Sequence, residues 1–311
     1  MAFYLVTGGA GFIGSNIVHE LVRRGDRVRV IDNFSTGIRA NLSGIFDRIE
    51  LLDGDLRNMG DVRKAVAGID YILHQAALPS VPRSIRDPVA SNESNVSGTV
   101  NLLTAAKDAS VKRLVFASSS SIYGDTPTLP KTEDMPPNPC SPYAVSKAAG
   151  EHYCRVFFEV YGLETVVLRY FNIFGPRQDP ASPYAAVIPL FIAKIAKGER
   201  PVIFGDGTQS RDFTFVENAV RANLLAAAAP EAPGKTFNIA GGKRYSLNDL
   251  VEKLNTIMGT ALDPLYEEAC LGDVKHSWAN ISLAKRHLGY EPLIDFEEGL
   301  GKTVTWATNR F

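Results

Sequence analysis

The sequence predicts an α/β fold: a doubly wound parallel sheet with a smaller lobe set over one edge. Three observations carry that expectation. Short apolar runs alternate with longer stretches of helical period through the first half, the pattern of a parallel sheet covered by helices on both faces. A glycine-rich turn follows the first run directly. After Asn172 the alternation loosens into loops marked by Gly175-Pro176-Arg177, Pro180, Pro183 and Gly205-Asp206-Gly207.

The strand runs are 3–6, 27–31, 49–52, 71–73, 113–117 and 165–168. Helical period falls near 12–24, 59–67, 88–108 and 141–161. Crossovers between parallel strands are right-handed, which leaves few topologies besides the doubly wound one. In the second half, 186–196, 217–228 and 246–258 are helix candidates. A chain of 311 residues is long for one core, so two lobes are expected, 1–171 and 172–311. The segment 212–240 is a candidate to return to the first.

With 45% hydrophobic and 22% charged residues and a net charge of −1, the chain has the balance of an ordinary globular protein. No excess of basic residues marks a nucleic-acid or anionic-membrane partner. Cys140, Cys154 and Cys270 are widely spaced and odd in number, which fits free thiols of a cytoplasmic protein, with neither a disulfide framework nor a metal site. The N-terminus has no charged-then-apolar leader. No apolar stretch approaches the roughly 20 residues that cross a bilayer.

Gly9-Ala10-Gly11-Phe12-Ile13-Gly14, preceded by Gly8, follows a strand and opens a helix, the Rossmann context for binding a dinucleotide. Its glycines allow a tight turn, backbone approach to a pyrophosphate and close helix–strand packing. Asp32 ends the second strand, 18 residues after Gly14. A carboxylate there binds both ribose hydroxyls and repels a 2′-phosphate, so NAD is favoured over NADP. Tyr143 and Lys147 are four residues apart and share one face of a helix. A free phenol titrates near pH 10, by rule about three units too high for a base at neutral pH. A neighbouring ammonium is expected to lower it. Ser118, Ser119, Ser120 and Ser121 close the fifth strand, where hydroxyls have little packing value and can meet a substrate oxygen.

Taken together, Gly8–Gly14, Ser119, Tyr143 and Lys147 resemble the extended short-chain dehydrogenase/reductase superfamily. Ser118–Gly124, Ser141–Lys147 and Arg169–Arg177 resemble its nucleotide-sugar 4-epimerases, of the UDP-galactose 4-epimerase type, and the likeness covers nearly the whole chain. The resemblance implies an NAD-binding first domain and a nucleotide-sugar-binding second one. It implies that Tyr143 takes the proton of the sugar 4-hydroxyl while the C4 hydride passes to NAD, and that the 4-keto sugar turns over before the hydride returns. Ser119 then bonds the 4-oxygen, Ser120 and Ser121 touch the sugar, and Lys147 also binds the nicotinamide ribose. Gly8, Gly11, Phe12, Ile13 and Gly14 hold the pyrophosphate. Asp32, Asn33, Ser35, Thr36 and Gly37 line the adenosine, Asp55 and Leu56 the adenine, and Gln75, Ala76 and Ala77 the middle of the cofactor. Tyr170 and Phe171 lie by the nicotinamide. Asn172, Ala186, Val187, Phe204 and Arg211 match positions that hold the nucleotide diphosphate; a solvated Arg211–Asp212 pair is the plainer alternative.

Departures from the family pattern refine this. Related 4,6-dehydratases carry an Asp-Glu pair after the strand serine, and UDP-glucuronate decarboxylases a glutamate; this chain has Ser120 and Ser121. The loop holding Asp273 and Ser277 resembles the one that closes over the sugar. Its gatekeeper is the small Ser277, and Leu78–Ser84, with Ser80 and Arg83, resembles the branch handling N-acetylated sugars. Activity on UDP-GlcNAc/UDP-GalNAc is therefore expected beside UDP-Glc/UDP-Gal. Cys270 stands where the family has a diphosphate-binding arginine. Alternatives are a uronic acid epimerase, decarboxylase or reductase on the same scaffold, or a non-enzymatic NAD-binding protein. Apolar faces on 90–109 (Val96, Val100, Leu103, Ala106) and 141–161 (Val145, Ala149, Tyr153, Phe157) suggest a homodimer, as the resemblance implies.

Overall fold

In the computed structural model, residues 1–182, 185–268 and 275–309 are described. Six strands follow the predicted runs: β1 Phe3–Thr7, β2 Arg27–Asp32, β3 Glu50–Asp53, β4 Tyr71–His74, β5 Arg113–Ser119 and β6 Glu164–Tyr170. A seventh, Thr236–Ile239, returns from the far half of the chain to pair with β6. All pairs are parallel, in the order Thr236–Ile239, β6, β5, β4, β1, β2, β3. Every residue of β1 is buried, and so are the first six of β5, as expected of strands covered on both faces.

The order reverses at β1, whose neighbours are β2 and β4. Loops leaving β1 and β4 therefore diverge there, and a crevice opens at the carboxyl edge. Helices Phe12–Arg23 and Val216–Ala228 cover one face; Met59–Val66, Gly98–Asp108 and Pro142–Tyr161 cover the other. The chain beyond Tyr170 is shared between two bodies. Val216–Ala228, Thr236–Ile239 and Ser282–Leu288 join the sheet's core. Val187–Ala196, Leu247–Met258 and Phe296–Thr308 enclose a second core around Phe174, Phe213, Phe215 and Phe296. Among the described residues no helix is long and apolar enough to cross a membrane.

Helix Pro142–Tyr161 is punctuated by its sequence. The Ser141 hydroxyl accepts the Ala144 N–H at 3.2 Å, Pro142 opens the first turn, and Gly162 closes the helix at φ 71°. The predicted helix 88–108 is one run interrupted by a π turn at Glu93–Ser97, the kind of bulge that often marks a functional position. Within it, Asn95 accepts from Leu78 N at 2.7 Å and donates to the Ser146 hydroxyl at 3.0 Å. The expected outward face on these helices is corrected: Leu103, Ala106 and Phe157 are buried in the sheet core. The helical period turns them toward the strands, while Val145 and Tyr153 face out with Ile85, Val89 and Val160.

Candidate active site

Two cavities meet over the carboxyl ends of β1, β4 and β5. The first, about 250 Å³, is lined by Gly8, Gly11, Phe12, Ile13, Gly14, Asp32, Asn33, Ser35, Thr36, Asp55, Leu56, Gln75, Ala76, Ala77, Tyr143, Lys147 and Tyr170, among others. The second, about 820 Å³, holds Ser80, Ser119, Ser120, Ser121, Phe171, Asn172, Ala186, Arg211 and Ser277 in its walls. Phe12, Ile13, Ser118, Tyr143 and Tyr170 line both.

The glycine turn is built tightly. Gly11 N–H donates to Gly8 O at 3.0 Å, and a Cβ on Gly14 would sit 2.1 Å from that same oxygen. Helix Phe12–Arg23 starts with no side-chain cap, so its first N–H groups and positive dipole end face the cavity. Asp32 is buried; its two oxygens accept N–H groups of Ala10 at 2.9 Å and Phe34 at 2.8 Å. Burial raises its pKa against those bonds. Asn33 donates to Asp55 at 2.9 Å, and Arg57, unnoticed in the sequence, holds the Asp55 carboxyl well below the usual range.

Further in, Tyr170 O–H donates to Gln75 at 3.2 Å and accepts from Asn223 at 2.7 Å, while Asn223 also accepts from Gln75 at 2.9 Å. His74 is wedged between the hydroxyls of Thr7 and Thr99 at 2.7 and 2.9 Å. Burial takes its pKa down to about 3, so it stays neutral. Thr7 in turn receives the Ala76 N–H, which fixes the loop opposite the glycine turn.

At the junction, Tyr143 and Ser119 line the second cavity together, and the Ser119 hydroxyl acts on the phenol. Lys147 is buried, donates to Ala117 O at 2.7 Å, and holds its nitrogen 5.9 Å from the Tyr143 ring centre. The expectation that Lys147 lowers the phenol is corrected here. Burial raises the Tyr143 pKa, and Ser119 is what opposes it. The ammonium is turned toward a carbonyl, and desolvation sets the direction of the phenol's shift. Lys147 itself is brought down to about 8 by burial, opposed by Cys154 and Glu151.

The serine run divides by role. Ser118 is tied to Glu151, and Glu151 forms a buried ion pair with Arg169 at 2.8 Å. Arg169 also donates to Tyr123 O–H at 2.8 Å, which donates to Asn238 at 2.7 Å. Ser119 accepts from Ser121 N–H at 3.1 Å. The Ser121 hydroxyl is buried with no protein partner. Glu151 lies one helical turn beyond Lys147, so a single face carries both; in the sequence it reads as a solvent-facing charge.

Several expected residues lie elsewhere. Gly37 packs behind Asp32, where a Cβ would come within 2.8 Å of both carboxylate oxygens. Phe171 is fully buried against Tyr123 and lines the second cavity only. Val187 packs into the smaller core. Phe204 is 48% exposed and lines neither cavity, because strand alternation gives the inward position to Ile203. Arg83 follows Ser80 on helix Val81–Arg86, outside both linings. Arg211 reaches Ser210 O and Lys275 O at 3.1 and 3.2 Å. Asp212 points inward to the N–H groups of Gly241, Gly242 and Ala279. Asp273 and Cys270 lie outside the described residues. Lys131 and His276, both in the second cavity, carry no sequence signal beyond ordinary polar loop residues.

Comparison with known proteins gives a consistent picture. The NAD dependent epimerase/dehydratase family matches residues 4–240. A UDP-glucose 4-epimerase of Mycolicibacterium smegmatis is 37% identical over 314 residues, 98% of each chain. The structure of a UDP-N-acetylglucosamine 4-epimerase from Methanobrevibacter ruminantium, in complex with UDP-N-acetylmuramic acid, superposes with TM-score 0.96 at 42% identity, covering 100% of this chain and 99% of that one. That of a UDP-glucuronic acid 4-epimerase from Bacillus cereus, with UDP-glucuronic acid and NAD, gives 0.91 at 32% identity, covering 99% and 100%.

The Lys147 shift has a sign that can be checked. Between about pH 8 and 10.5 the unfolded chain holds a proton on Lys147 that the folded chain has released, so its contribution raises stability with pH across that window. Urea denaturation at both ends of the window is expected to show this rise in the unliganded wild type and its loss in Lys147→Met.

Proposed function

The chain belongs to the NAD dependent epimerase/dehydratase family, and on that footing we propose that it inverts C4 of a UDP-hexose with NAD held in the first cavity. The observation that carries the reading is the place of Tyr143, in the walls of both cavities and in one of them beside Ser119. The first cavity fits a dinucleotide by its own chemistry. A Cβ at Gly8, Gly9 or Gly14 would lie within 2.7 Å of a neighbouring atom, the helix start is uncapped, and a buried carboxylate ends β2.

Held by the residues of the first cavity, with Tyr143, Lys147 and Tyr170 at its inner end, an oxidised dinucleotide would supply a reversible hydride acceptor for C4. Tyr143 takes the 4-hydroxyl proton and later gives it back. Ser119 holds the C4 oxygen against the phenol, and the unpaired Ser121 hydroxyl is free to bond a second sugar oxygen. Lys147, anchored on Ala117 O, keeps a cation beneath the phenolate and offers donors to the cofactor's ribose. Arg211 and the uncapped start of helix Val187–Ala196 suit the diphosphate. Elimination of water is disfavoured because Ser120 and Ser121 supply no acid at the strand end. The reaction needs no second substrate, since it has no net redox change.

Purified protein is expected to interconvert UDP-Glc with UDP-Gal, and UDP-GlcNAc with UDP-GalNAc, with no added reductant. Absence of any interconversion with NAD bound defeats the reading. Tyr143→Phe keeps the ring and is expected to lower kcat by about 10²–10⁴-fold. Ser277 leaves space for a 2-acetamido group, so Ser277→Tyr should cut kcat/KM on the acetylated pair by about 10- to 100-fold relative to the plain pair; equal or better turnover of the acetylated pair refutes this. A second copy is the proposed cover for exposed Val145, Tyr153, Val160, Ile85 and Val89. Light scattering should then report a dimer for the wild type and a monomer for Val145→Asp.

A further inference from the structure

His74 ends β4, is 1% exposed, and lines neither cavity. Both of its ring nitrogens are nonetheless engaged, Nδ1 with Thr7 Oγ1 at 2.7 Å and Nε2 with Thr99 Oγ1 at 2.9 Å. Burial, and after it the Lys147 ammonium, push its pKa down to about 3. The ring is therefore neutral, with one N–H and one bare nitrogen.

Its neighbours decide which nitrogen is which. The Thr99 hydroxyl donates to Asn95 O at 2.6 Å, so it has no proton left for the ring and accepts from Nε2–H. Nδ1 is then bare and accepts the Thr7 hydroxyl, whose oxygen receives the Ala76 N–H at 3.2 Å. The donors all point one way, from Ala76 through Thr7, His74 and Thr99 to Asn95. Bonds aligned head to tail polarise one another, and Thr7, Thr99 and Asn95 are as buried as the ring.

The two ends of this line lie in different parts of the site. At one end Ala76 packs on the glycine turn, where a Cβ on Gly8 would come 2.7 Å from the Ala76 Cα. At the other, Asn95 sits in the π turn Glu93–Ser97. Its side chain binds both main-chain groups of Leu78 and donates to the Ser146 hydroxyl. Ser146 donates in turn to Tyr143 O at 2.8 Å.

We propose that His74 is a positioning residue that braces the seat of the cofactor against the helix bearing Tyr143. This rests on the epimerase reading and adds to its machinery a group that touches neither substrate nor cofactor. A phenyl ring would fill the same space, packed on Phe116 at 5.5 Å between ring centres, but would bond to neither threonine.

The test uses the full-length protein and has two parts. Nitrogen-resolved NMR of histidine-labelled wild type is expected to show His74 as the Nε2–H tautomer from about pH 6 to 8. The Nδ1–H tautomer, or a protonated ring, overturns the proposal. His74→Phe should weaken NAD binding about tenfold and lower kcat about 10- to 100-fold, with calorimetric affinity for UDP unchanged. His74→Asn, which keeps an acceptor near the place of Nδ1, should restore part of the NAD affinity. Equal losses of NAD and UDP affinity in His74→Phe overturn the brace, and so do unchanged NAD affinity and kcat. If His74→Phe fails to fold, Thr99→Val decides: a fall in kcat with UDP affinity kept supports the brace, and an unchanged kcat refutes it. A wild type that binds NAD yet epimerises no sugar defeats the epimerase reading alone, and the tautomer with the two affinities then decides on the brace.

Discussion

The buried pair of Glu151 and Arg169 holds the site together. It joins helix Pro142–Tyr161, which carries Tyr143 and Lys147, to β6, and through Ser118 it reaches the end of β5 beside Ser119. Arg169 extends the same network to Tyr123 and Asn238. Two charges so deep in a protein are tolerated only when their remaining donors and acceptors are filled; here a hydroxyl, a phenol and a main-chain carbonyl fill them. Helix Pro142–Tyr161 and the ends of β5 and β6 are thereby fixed relative to one another, which is what chemistry over hydrogen-bond distances requires.

The electrostatics around that frame are set by burial more than by pairing. Desolvation raises the phenol of Tyr143, lowers Lys147 and keeps His74 neutral. Both reactive groups are poised for a partner that brings charge or hydrogen bonds into the crevice. The lone carbonyl beneath Lys147 leaves two of its donors for such a partner.

The second body is clasped to the first by a carboxylate. Asp212 sits beside Arg211 in sequence but turns inward, receiving N–H groups from Gly241, Gly242 and Ala279. Burial pushes it up to about 7 against those three bonds. The strand of Arg211, the turn after the returning strand and the loop after Ser277 are thus held at one point. That contact lets residues far apart in the chain share a cavity wall.

The sequence by itself determined the parallel sheet, the glycine turn with Asp32, and the placing of Tyr143 and Lys147 on one helix face. Each rests on local spacing: alternation of short and long apolar periods, a turn only glycine fits, and helix positions one turn apart. Tertiary structure decided the rest. The seventh strand is short and follows loops, so only pairing with β6 identifies it. Glu151, Asn223 and Lys131 read as solvated polar residues, because nothing local tells a chain which charges it will bury. The direction of the Tyr143 shift was likewise out of reach, since spacing places a cation near the ring but only packing sets what the ammonium bonds and how dry the phenol becomes.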